Sequence, residues 1–165
     1  MYLIRGQHNL KLFKSRHPNV LLSGTIGNFD GLHLGHQAIL EKIKNNAQKY
    51  NAKTIVFFTE PHAAEYFSKV RDKNQIPPPR ICPWREKFQL LKKSKIDFAC
   101  FLKFNSKLRT MSPDDFISQI LDSINLVSFT VGDDFRFGAG RKGDTDLLKN
   151  WGEKKGILVE NTETI

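Results

Sequence analysis

The sequence has few cysteines and no long apolar run. Two of its 165 residues are cysteine, and Cys82 and Cys100 form no Cys-x-x-Cys pair, which excludes a disulfide-stapled scaffold. No stretch approaches the roughly 18 apolar residues that a membrane helix requires. Residues 1–6 also lack the basic segment and apolar run of a secretory signal. We therefore expect no membrane association and a protein of the reducing cytoplasm.

Internal repeats and low-complexity tracts are absent as well, and the composition is that of one globular domain. A chain of 165 residues with 39% hydrophobic content is long enough for one core and too short for two independent ones. Its 26 basic and 17 acidic residues give a net charge of +9, which raises the local concentration of polyanions. The lysines are dispersed over the polar sides of predicted helices, so we favour attraction of nucleoside phosphates over binding of nucleic acid.

The most informative segment is residues 27–36, Gly-Asn-Phe-Asp-Gly-Leu-His-Leu-Gly-His, which joins an apolar run to a helix. Residues 20–26 predict a buried strand, and residues 37–49 predict a helix with apolar residues on one side. His36 is therefore expected in or just before the first helical turn, where unpaired amide hydrogens and the helix dipole favour anions. Glycines at this point let the backbone approach a ligand closely. The segment predicts a site for the phosphates of a nucleotide.

His33 and His36 lie three residues apart, which predicts that they share one face at the helix start. A protonated or hydrogen-bond-donating imidazole there can hold a phosphate, together with the negative charge that develops during phosphoryl or nucleotidyl transfer. Two other interpretations stay open: the histidines are surface or capping residues, or they bind a metal. No third or fourth ligand stands at a recognised spacing nearby, and the flanking glycines favour the phosphate site.

Strand and helix patterns alternate along the chain, which predicts an α/β fold with a mostly parallel sheet covered by helices on both faces. Prolines break up residues 60–83, where we expect a long excursion with at most a short helix near 63–69. An excursion at the carboxyl end of a parallel strand is typical of a ligand-binding loop. Further strands are expected at residues 53–59, 96–104, 126–131 and 156–160, and further helices at 84–93, after an N-cap serine at 112, and at 145–155.

A second glycine-rich cluster, residues 132–144, follows the fourth of these predicted strands. Within it, residues 138–143 satisfy the pattern Gly-x-Gly-x-x-Gly. A dinucleotide-binding turn of that pattern must follow its strand directly and enter its helix at once. Because residues 133–137 intervene, we discount that interpretation.

The side chains of this second cluster favour a binding loop instead. Arg136 and Arg141 can pair with phosphate in bidentate fashion, and Phe135 or Phe137 can flank a planar ring. Asp133 and Asp134 can accept hydrogen bonds from a base or ribose, or orient a magnesium ion. In the alternative interpretation Asp144 caps the next helix, the phenylalanines belong to the core and the arginines are solvated. We expect this alternative to hold for Asp144 and for one phenylalanine.

Three blocks of the sequence resemble the amino-terminal module of the prokaryotic bifunctional riboflavin kinase/FMN adenylyltransferases, also called FAD synthetases. Residues 27–36 are close to the signature of that family. Residues 104–116 (FNSKLRTMSPDDF) and 131–138 (VGDDFRFG) resemble its later blocks. His33-Leu34-Gly35-His36 matches the HxGH motif that these enzymes share with cytidylyltransferases and class I aminoacyl-tRNA synthetases. The resemblance runs over essentially all 165 residues.

The resemblance implies a Rossmann-like domain of the HxGH nucleotidylyltransferase superfamily, with three α/β/α layers and a mostly parallel sheet. It also implies transfer of AMP from ATP to the 5′-phosphate of FMN, which gives FAD and pyrophosphate. Mg²⁺ is expected to be held mainly by ATP, with no protein ligand assigned to it. By the same resemblance His33 and His36 are catalytic, the ATP site comprises Gly27, Asn28, Phe29, Asp30 and Gly35, and Asp133, Phe135 and Arg136 bind FMN or adenine.

The sequence departs from the family pattern in two places. Residues 58–63, FTEPHA, are similar to an FxPHP-like stretch but lack its second proline. The sequence also stops at Ile165, about where the family's ISSTxIR motif is expected. We therefore expect residues 1–165 to be an FMN adenylyltransferase domain truncated before that motif and without the riboflavin kinase domain. Riboflavin phosphorylation is then expected only of a longer parent protein.

Two other functions stay open at this point. Another HxGH nucleotidylyltransferase, acting on phosphopantetheine or a polyol phosphate, would share the first block but not the later ones. A non-catalytic module that binds nucleotide or nucleic acid would account for the basic charge without any role for the histidines in catalysis. The sequence does not determine the oligomeric state.

Overall fold

A computed structural model of the chain describes residues 1–29, 33–60 and 84–163. Its strands are β1 (Tyr2–Arg5), β2 (Leu22–Ile26), β3 (Lys53–Glu60), β4 (Phe98–Lys103), β5 (Leu126–Gly132) and β6 (Leu158–Thr162). Its α-helices are α1 (Leu10–Arg16), α2 (Leu34–Lys49), α3 (Trp84–Lys93), α4 (Ser106–Thr110), α5 (Pro113–Gln119) and α6 (Thr145–Lys155). Short 3₁₀ turns occupy Gln7–Asn9, Leu121–Ser123 and Ala139–Arg141. Within the described ranges, no helix is long and apolar enough to cross a lipid bilayer.

The strands form one parallel sheet in the order β1-β4-β3-β2-β5-β6. From β2 the chain proceeds to β3 and β4 on one side, whereas β5 and β6 lie on the other side of β2. The direction of the strand order therefore reverses between β2 and β5, and a crevice forms at the carboxyl ends of strands at such a point. The loops that leave these two strands carry the two glycine-rich clusters of the sequence. The topology thus places both clusters at one end of the sheet.

Helices cover both faces of the sheet and give three α/β/α layers. On one face, Leu40 and Ile43 of α2 pack with Val56 and Phe58 of β3. On the other face, the core is built from α1, α5, α6 and the alternate residues of the strands, since successive side chains of a strand point to opposite faces. The helix residues of this second core include Leu10, Phe13, Phe116, Leu148 and Trp151. The predicted α/β fold with a parallel sheet and helices on both faces is confirmed.

Local signals in the sequence set the ends of the helices. Ser112 accepts the backbone N–H of Asp115 at 3.1 Å and caps α5. Asp144 accepts the backbone N–H of Leu147 at 2.9 Å and caps α6. Both predicted caps are confirmed, and each satisfies a backbone donor that the helix itself leaves unpaired. Gly156 ends α6 at φ 71°, a left-handed conformation that glycine adopts without a steric penalty.

Most predicted elements are confirmed, although several ends differ. Helix α2 begins at Leu34 rather than at residue 37, so it takes His36 into its first turn. The last strand begins at Leu158 rather than at residue 156. Elements β1, α1 and α4 are missing from the sequence prediction, because such short segments do not show a hydrophobic period. The short helix expected near 63–69 lies outside the described residues.

Buried hydroxyl groups line the central strands on the face that α2 covers. Ser23 and Thr25 of β2 lie opposite Ser128 and Thr130 of β5 in the parallel register, and all four are fully buried. The hydroxyls of Ser23 and Ser128 share a hydrogen bond of 2.6 Å. Those of Thr25 and Thr130 have no partner among the described residues. The contact of α2 with β2 and β5 is therefore partly polar, whereas its contact with β3 is apolar.

An acidic residue of β6 ties the carboxyl half of α2 to the sheet. Glu160 accepts a hydrogen bond of 3.0 Å from the amide of Asn46 and pairs with the Lys42 ammonium at 3.0 Å. Partial burial raises the pKa of Glu160, but the bonds from Asn46 and Lys42 and the charges of Lys42 and Lys49 outweigh burial, so the pKa lies below its usual value. The ionised form of Glu160 therefore holds α2 in place.

Candidate functional site

A cleft of about 770 Å³ opens at the carboxyl ends of β2 and β5. Its volume is within the range of pockets that enclose a ligand the size of a cofactor. We call its two sides the histidine wall and the arginine wall. The histidine wall comprises Gly27, Asn28, Phe29, His33, Gly35 and His36, and the arginine wall includes Arg109, Asp134, Phe135, Arg136, Phe137 and Arg141.

On the histidine wall, His33 is the N-cap of α2. Its Nδ1 accepts the backbone N–H of Gly35 at 3.1 Å, which confirms the capping interpretation of this residue. Because Nδ1 accepts this bond, Nε2 is the ring nitrogen that is left to donate a hydrogen bond. A Cβ at Gly35 would lie 3.1 Å from the His33 ring, and glycine therefore leaves room for this cap. The capping bond leaves Nε2 as a donor at the positive end of the helix dipole.

His36 follows in the first turn of α2 and stacks on His33. The two ring centroids are 3.7 Å apart and the ring planes differ by 25°, so the predicted shared face is confirmed. The ring of Phe29 lies against His36 as well, with centroids 4.7 Å apart. His33 is exposed and His36 is half-buried. The arrangement presents two imidazoles to one region of the cleft, next to a helix start that favours anions.

The loop after β5 presents an aromatic ring and a cation to the opposite side of the cleft. Phe135 is half-buried, and its ring is nearly parallel to that of Phe137, with centroids 5.7 Å apart. Phe137 is buried and packs against Phe116 of α5, which confirms that one phenylalanine of the cluster belongs to the core. The exposed Arg136 donates from its guanidinium to the Phe135 carbonyl at 2.9 Å. This wall has groups suited to a planar ring and to a phosphate.

Close backbone contacts fix this loop against the rest of the arginine wall. Phe137 and Gly143 exchange backbone hydrogen bonds of 3.1 and 2.8 Å, and a Cβ at Gly143 would lie 2.7 Å from the Phe137 ring. A Cβ at Gly138 would lie 2.7 Å from Pro113, at the start of α5. These glycines permit close packing, and α6 begins only at Thr145. The structure agrees with the prediction that the Gly-x-Gly-x-x-Gly pattern of residues 138–143 is not a dinucleotide-binding turn.

Most of the side chains expected at the site lie in the cleft lining, with three qualifications. Asp133 is exposed and is not among the lining residues; its backbone N–H donates to the Thr162 carbonyl at 3.0 Å. Asp134 lines the cleft. The Phe29 side chain is 1% exposed, so it offers packing rather than a free aromatic face. Asp30 lies outside the described residues.

Two charged lining residues were not singled out by the sequence analysis. Arg109 of α4 and Glu163 after β6 line the cleft, as does Arg141 of the 3₁₀ turn, which was predicted to pair with phosphate. Each comes from a different part of the chain, and the sheet order alone brings them together. Arg109 lies within the block 104–116, whose resemblance to the family was the available signal for it.

The cleft contains carboxylates but no cluster that would hold a metal ion by itself. Asp134 and Glu163 line it, and the described residues include no group of three or more histidine, cysteine or acidic side chains that could hold a metal. Mg²⁺ in nucleotide sites takes one or two carboxylates and completes its shell with phosphate oxygens and water. This donor set fits an ion that arrives on a polyphosphate. Cys100 is buried, and burial raises the pKa of its thiol, so this cysteine is no nucleophile.

Comparison with known sequences identifies the family to which this cleft belongs. A family model described as FAD synthetase matches residues 15–165. The chain belongs to the FAD synthetase family. The family resemblance stated from the sequence is therefore confirmed.

Curated proteins named bifunctional riboflavin kinase/FMN adenylyltransferase are similar to the chain along nearly its whole length. The bifunctional riboflavin kinase/FMN adenylyltransferase of Escherichia coli (strain K12) is 39% identical over 165 residues, which is 99% of the chain and 50% of that protein. The protein of the same name from Buchnera aphidicola subsp. Acyrthosiphon pisum is 40% identical over 155 residues, which is 93% of the chain and 46% of that protein. The chain spans about half the length of these relatives.

Two solved structures show how the fold of this FAD synthetase family chain recurs. A macrolide-efflux protein from Streptococcus pneumoniae matches with a TM-score of 0.76 and 19% identity, covering 99% of this chain and 51% of that one. A pantoate-beta-alanine ligase from Francisella tularensis matches with a TM-score of 0.59 and 12% identity, covering 100% of this chain and 67% of that one. At these identities the likeness establishes the fold alone, and it is the three-layer α/β/α fold expected from the sequence.

Proposed function

We propose that this chain is an FMN adenylyltransferase, which transfers AMP from ATP to the 5′-phosphate of FMN and forms FAD and pyrophosphate in FAD biosynthesis. The observation that carries the proposal is the cleft between β2 and β5, where two stacked histidines at a helix start face arginines and an aromatic ring. Membership of the FAD synthetase family and the names of the curated relatives support the same reaction.

The reaction requires alignment and charge neutralisation more than proton abstraction. A phosphate oxygen of FMN attacks the α-phosphorus of ATP, the bond from that phosphorus to the α,β-bridging oxygen breaks, and pyrophosphate leaves with the electron pair. The attacking phosphate is already anionic at neutral pH, so no strong base is needed. Two anions must be held in line while charge builds on the phosphoryl oxygens. A cleft lined by donors at a helix start and by arginines provides both.

On the histidine wall, His33 and His36 are the proposed catalytic residues. His33 donates from Nε2 to the phosphate chain, because its Nδ1 is occupied by the cap on Gly35. His36 is placed to stabilise the pentacoordinate phosphorus and the departing pyrophosphate. The proposed ATP site comprises the residues expected from the sequence: Gly27, Asn28, Phe29, Asp30 and Gly35. Phe29 contributes by packing because its ring is buried, and Asp30 lies outside the described residues.

The arginine wall is the proposed site for the flavin or the adenine. Arg136 pairs with phosphate, and the half-buried ring of Phe135 stacks on a planar heterocycle. Asp133 was expected to accept hydrogen bonds here, and Asp134 is the better placed of the two because it lines the cleft. Mg²⁺ bound with ATP would neutralise phosphate charge, and Asp134 and Glu163 are the described carboxylates of the cleft lining that would contact it.

Residues 1–165 are proposed to form the adenylyltransferase domain of a longer protein. The relatives are named for two activities, and the chain matches about half of their length. Phosphorylation of riboflavin is accordingly assigned to the part of the relatives that this chain does not span.

The proposal is tested by incubating the chain with ATP, MgCl₂ and FMN and measuring FAD by chromatography. We expect FAD and pyrophosphate in equal amounts, no product when riboflavin replaces FMN, and no product with EDTA. A parallel reaction with a version extended past Ile165 shows whether further residues complete the site.

Binding measurements separate this proposal from the other functions considered. Calorimetric titration should show binding of ATP and FMN to the chain. Transfer of AMP to phosphopantetheine or a polyol phosphate but not to FMN would reassign the acceptor. Strong, salt-dependent binding of an oligonucleotide without binding of ATP would contradict an adenylyltransferase altogether.

A further inference from the structure

Phe29 has a backbone conformation that aromatic residues rarely adopt. Its φ is 50°, in the left-handed region, where a bulky side chain meets steric strain. Its ring is nonetheless among the most deeply buried in the protein, with 1% exposed. Strain of this kind persists only where the surrounding structure holds the residue in place, and it concentrates at functional sites.

Tight packing holds the Phe29 ring under the loop that follows β2. The ring belongs to the core cluster formed by α2, α3 and β3, which includes Leu40, Ile43 and Phe58. A Cβ at Gly27 would lie 3.0 Å from the ring, so the absence of a side chain at Gly27 is what makes room for it. Both the glycine at position 27 and the strained backbone at position 29 are therefore needed to accommodate this one buried ring.

The buried ring has a direct contact in the cleft, which is His36. The centroids of Phe29 and His36 are 4.7 Å apart with 40° between the planes. The His36 ring also stacks on His33 at 3.7 Å. One neighbour of the His36 ring is thus fixed by the core and the other by the helix cap, which limits the orientations open to the imidazole.

We infer that Phe29 is a positioning residue, whose ring, seated by the left-handed backbone and the space at Gly27, fixes the plane of His36 against the reacting phosphates. The inference rests on the proposed function for its effect on turnover. It assigns Phe29 a role through His36 and not through contact with ATP. Catalysis is sensitive to such placement, because a displacement on the order of 1 Å costs about 100-fold in rate.

The test compares Phe29→Leu and Phe29→Gly with Phe129→Leu. Phe129 is equally buried and lies outside the cleft lining, so its variant reports the general effect of lost core volume. Phe29→Leu removes the aromatic ring but keeps the strained backbone, whereas Phe29→Gly removes both. Comparing the two variants therefore separates the effect of the ring from that of the strain. We expect kcat to fall about 10- to 100-fold in both Phe29 variants, little change in the KM for ATP, and near-normal kcat in Phe129→Leu.

A readout independent of activity is the NMR spectrum of the histidine side chains. Loss of the Phe29 ring should shift the ring protons of His36 by removing an aromatic neighbour, whereas Phe129→Leu should leave them in place. If Phe29→Leu leaves both the His36 signals and kcat like those of Phe129→Leu, the inference is wrong. If neither the parent chain nor its version extended past Ile165 forms FAD, the proposed function fails, while the His36 signals still support or overturn the positioning role. Should Phe29→Leu fail to fold, Gly27→Ala keeps the Phe29 ring but displaces it, and should also change the His36 signals and lower kcat.

Discussion

The two loops at the crevice of the sheet each follow a central strand at its carboxyl end, but they present their side chains on different kinds of backbone. The loop after β2 leads to α2, and its proposed functional groups are the imidazoles at the start of that helix. The loop after β5 first folds back on itself through the Phe137–Gly143 bridge, and α6 begins only after it. Its functional groups, an arginine and an aromatic ring, stand on irregular backbone.

This difference follows from what each loop is proposed to bind. A phosphate chain is held by a helix start, since backbone amides and the helix dipole converge there. A planar heterocycle needs a flat apolar surface, which Phe135 provides because Phe137 and Phe116 support it from below. The predictions below perturb one loop at a time, then the strands and the helix that support both.

Removing the second histidine should have the largest effect. We expect His36→Ala to reduce kcat by about 100- to 10,000-fold, the range for loss of a positioned donor in proton transfer or charge stabilisation. The melting temperature should change little, because His36 is half-buried and in no core cluster. His8→Ala, which removes an exposed histidine outside the cleft lining, is the control. Near-normal FAD formation by His36→Ala would remove the histidine from the mechanism.

Changing the arginine wall should weaken substrate binding more than turnover. Loss of a charged hydrogen bond in Arg136→Ala is expected to cost about 1.5–3 kcal/mol, seen as a raised KM for ATP or FMN. Arg136→Lys should recover only part of the loss, since lysine cannot pair with phosphate in bidentate fashion. Arg16→Ala, an exposed arginine at the end of α1, is the matched control. An unchanged KM for both substrates would mean that Arg136 contacts neither.

The two roles of His33 can be separated by the choice of substitution. His33→Ala removes the helix cap and should lower the free energy of unfolding by about 1 kcal/mol. His33→Asn restores a capping oxygen, and we expect it to recover this stability but not the turnover, since the Nε2 donor is gone. Urea denaturation and the FAD assay on the same three proteins make the comparison. Recovery of turnover by asparagine would show that His33 acts through the cap alone.

The buried hydroxyls beneath α2 give an effect on stability of similar size and opposite sign. Thr25→Val keeps the shape of the side chain and removes a buried hydroxyl that has no partner in the described structure. We expect it to raise the free energy of unfolding by about 1 kcal/mol. Ser23→Ala should lower it, because Ser128 then loses its hydrogen bond. Thermal denaturation of both variants checks the pair, and destabilisation by Thr25→Val would indicate that its hydroxyl is satisfied in solution.

The tie between α2 and β6 predicts the smallest effect, and one that depends on pH. Because folding lowers the pKa of Glu160, its stabilisation is fully present above the ordinary glutamate pKa and is lost as the pH falls through the lowered value. Glu160→Gln should therefore be less stable than the parent, by at most about 1 kcal/mol near neutral pH. The difference should vanish in acid. A difference independent of pH would show that charge at Glu160 is not the cause.

Much of the fold was predictable because its signals are local. Helix α6 was predicted with its correct ends, since Asp144 and Gly156 mark its start and finish. Strand β1 was not predicted, because Tyr2–Arg5 is short and its place is set by pairing with β4 across a large part of the chain. The early start of α2 was also missed, because a histidine is an uncommon N-cap and its bond to Gly35 is visible only in three dimensions.

The sequence by itself determined the fold class and the family, and it predicted that the histidine loop binds phosphate, since each of these rests on contiguous residues. The tertiary structure decided which distant residues share the cleft: it brought in Arg109 and Glu163, and it has Asp134 but not Asp133 in the lining. It also decided that the buried Phe29 ring packs against His36. The physical reason is that strand order and side-chain packing join segments remote in sequence, and no local pattern records which of them will meet.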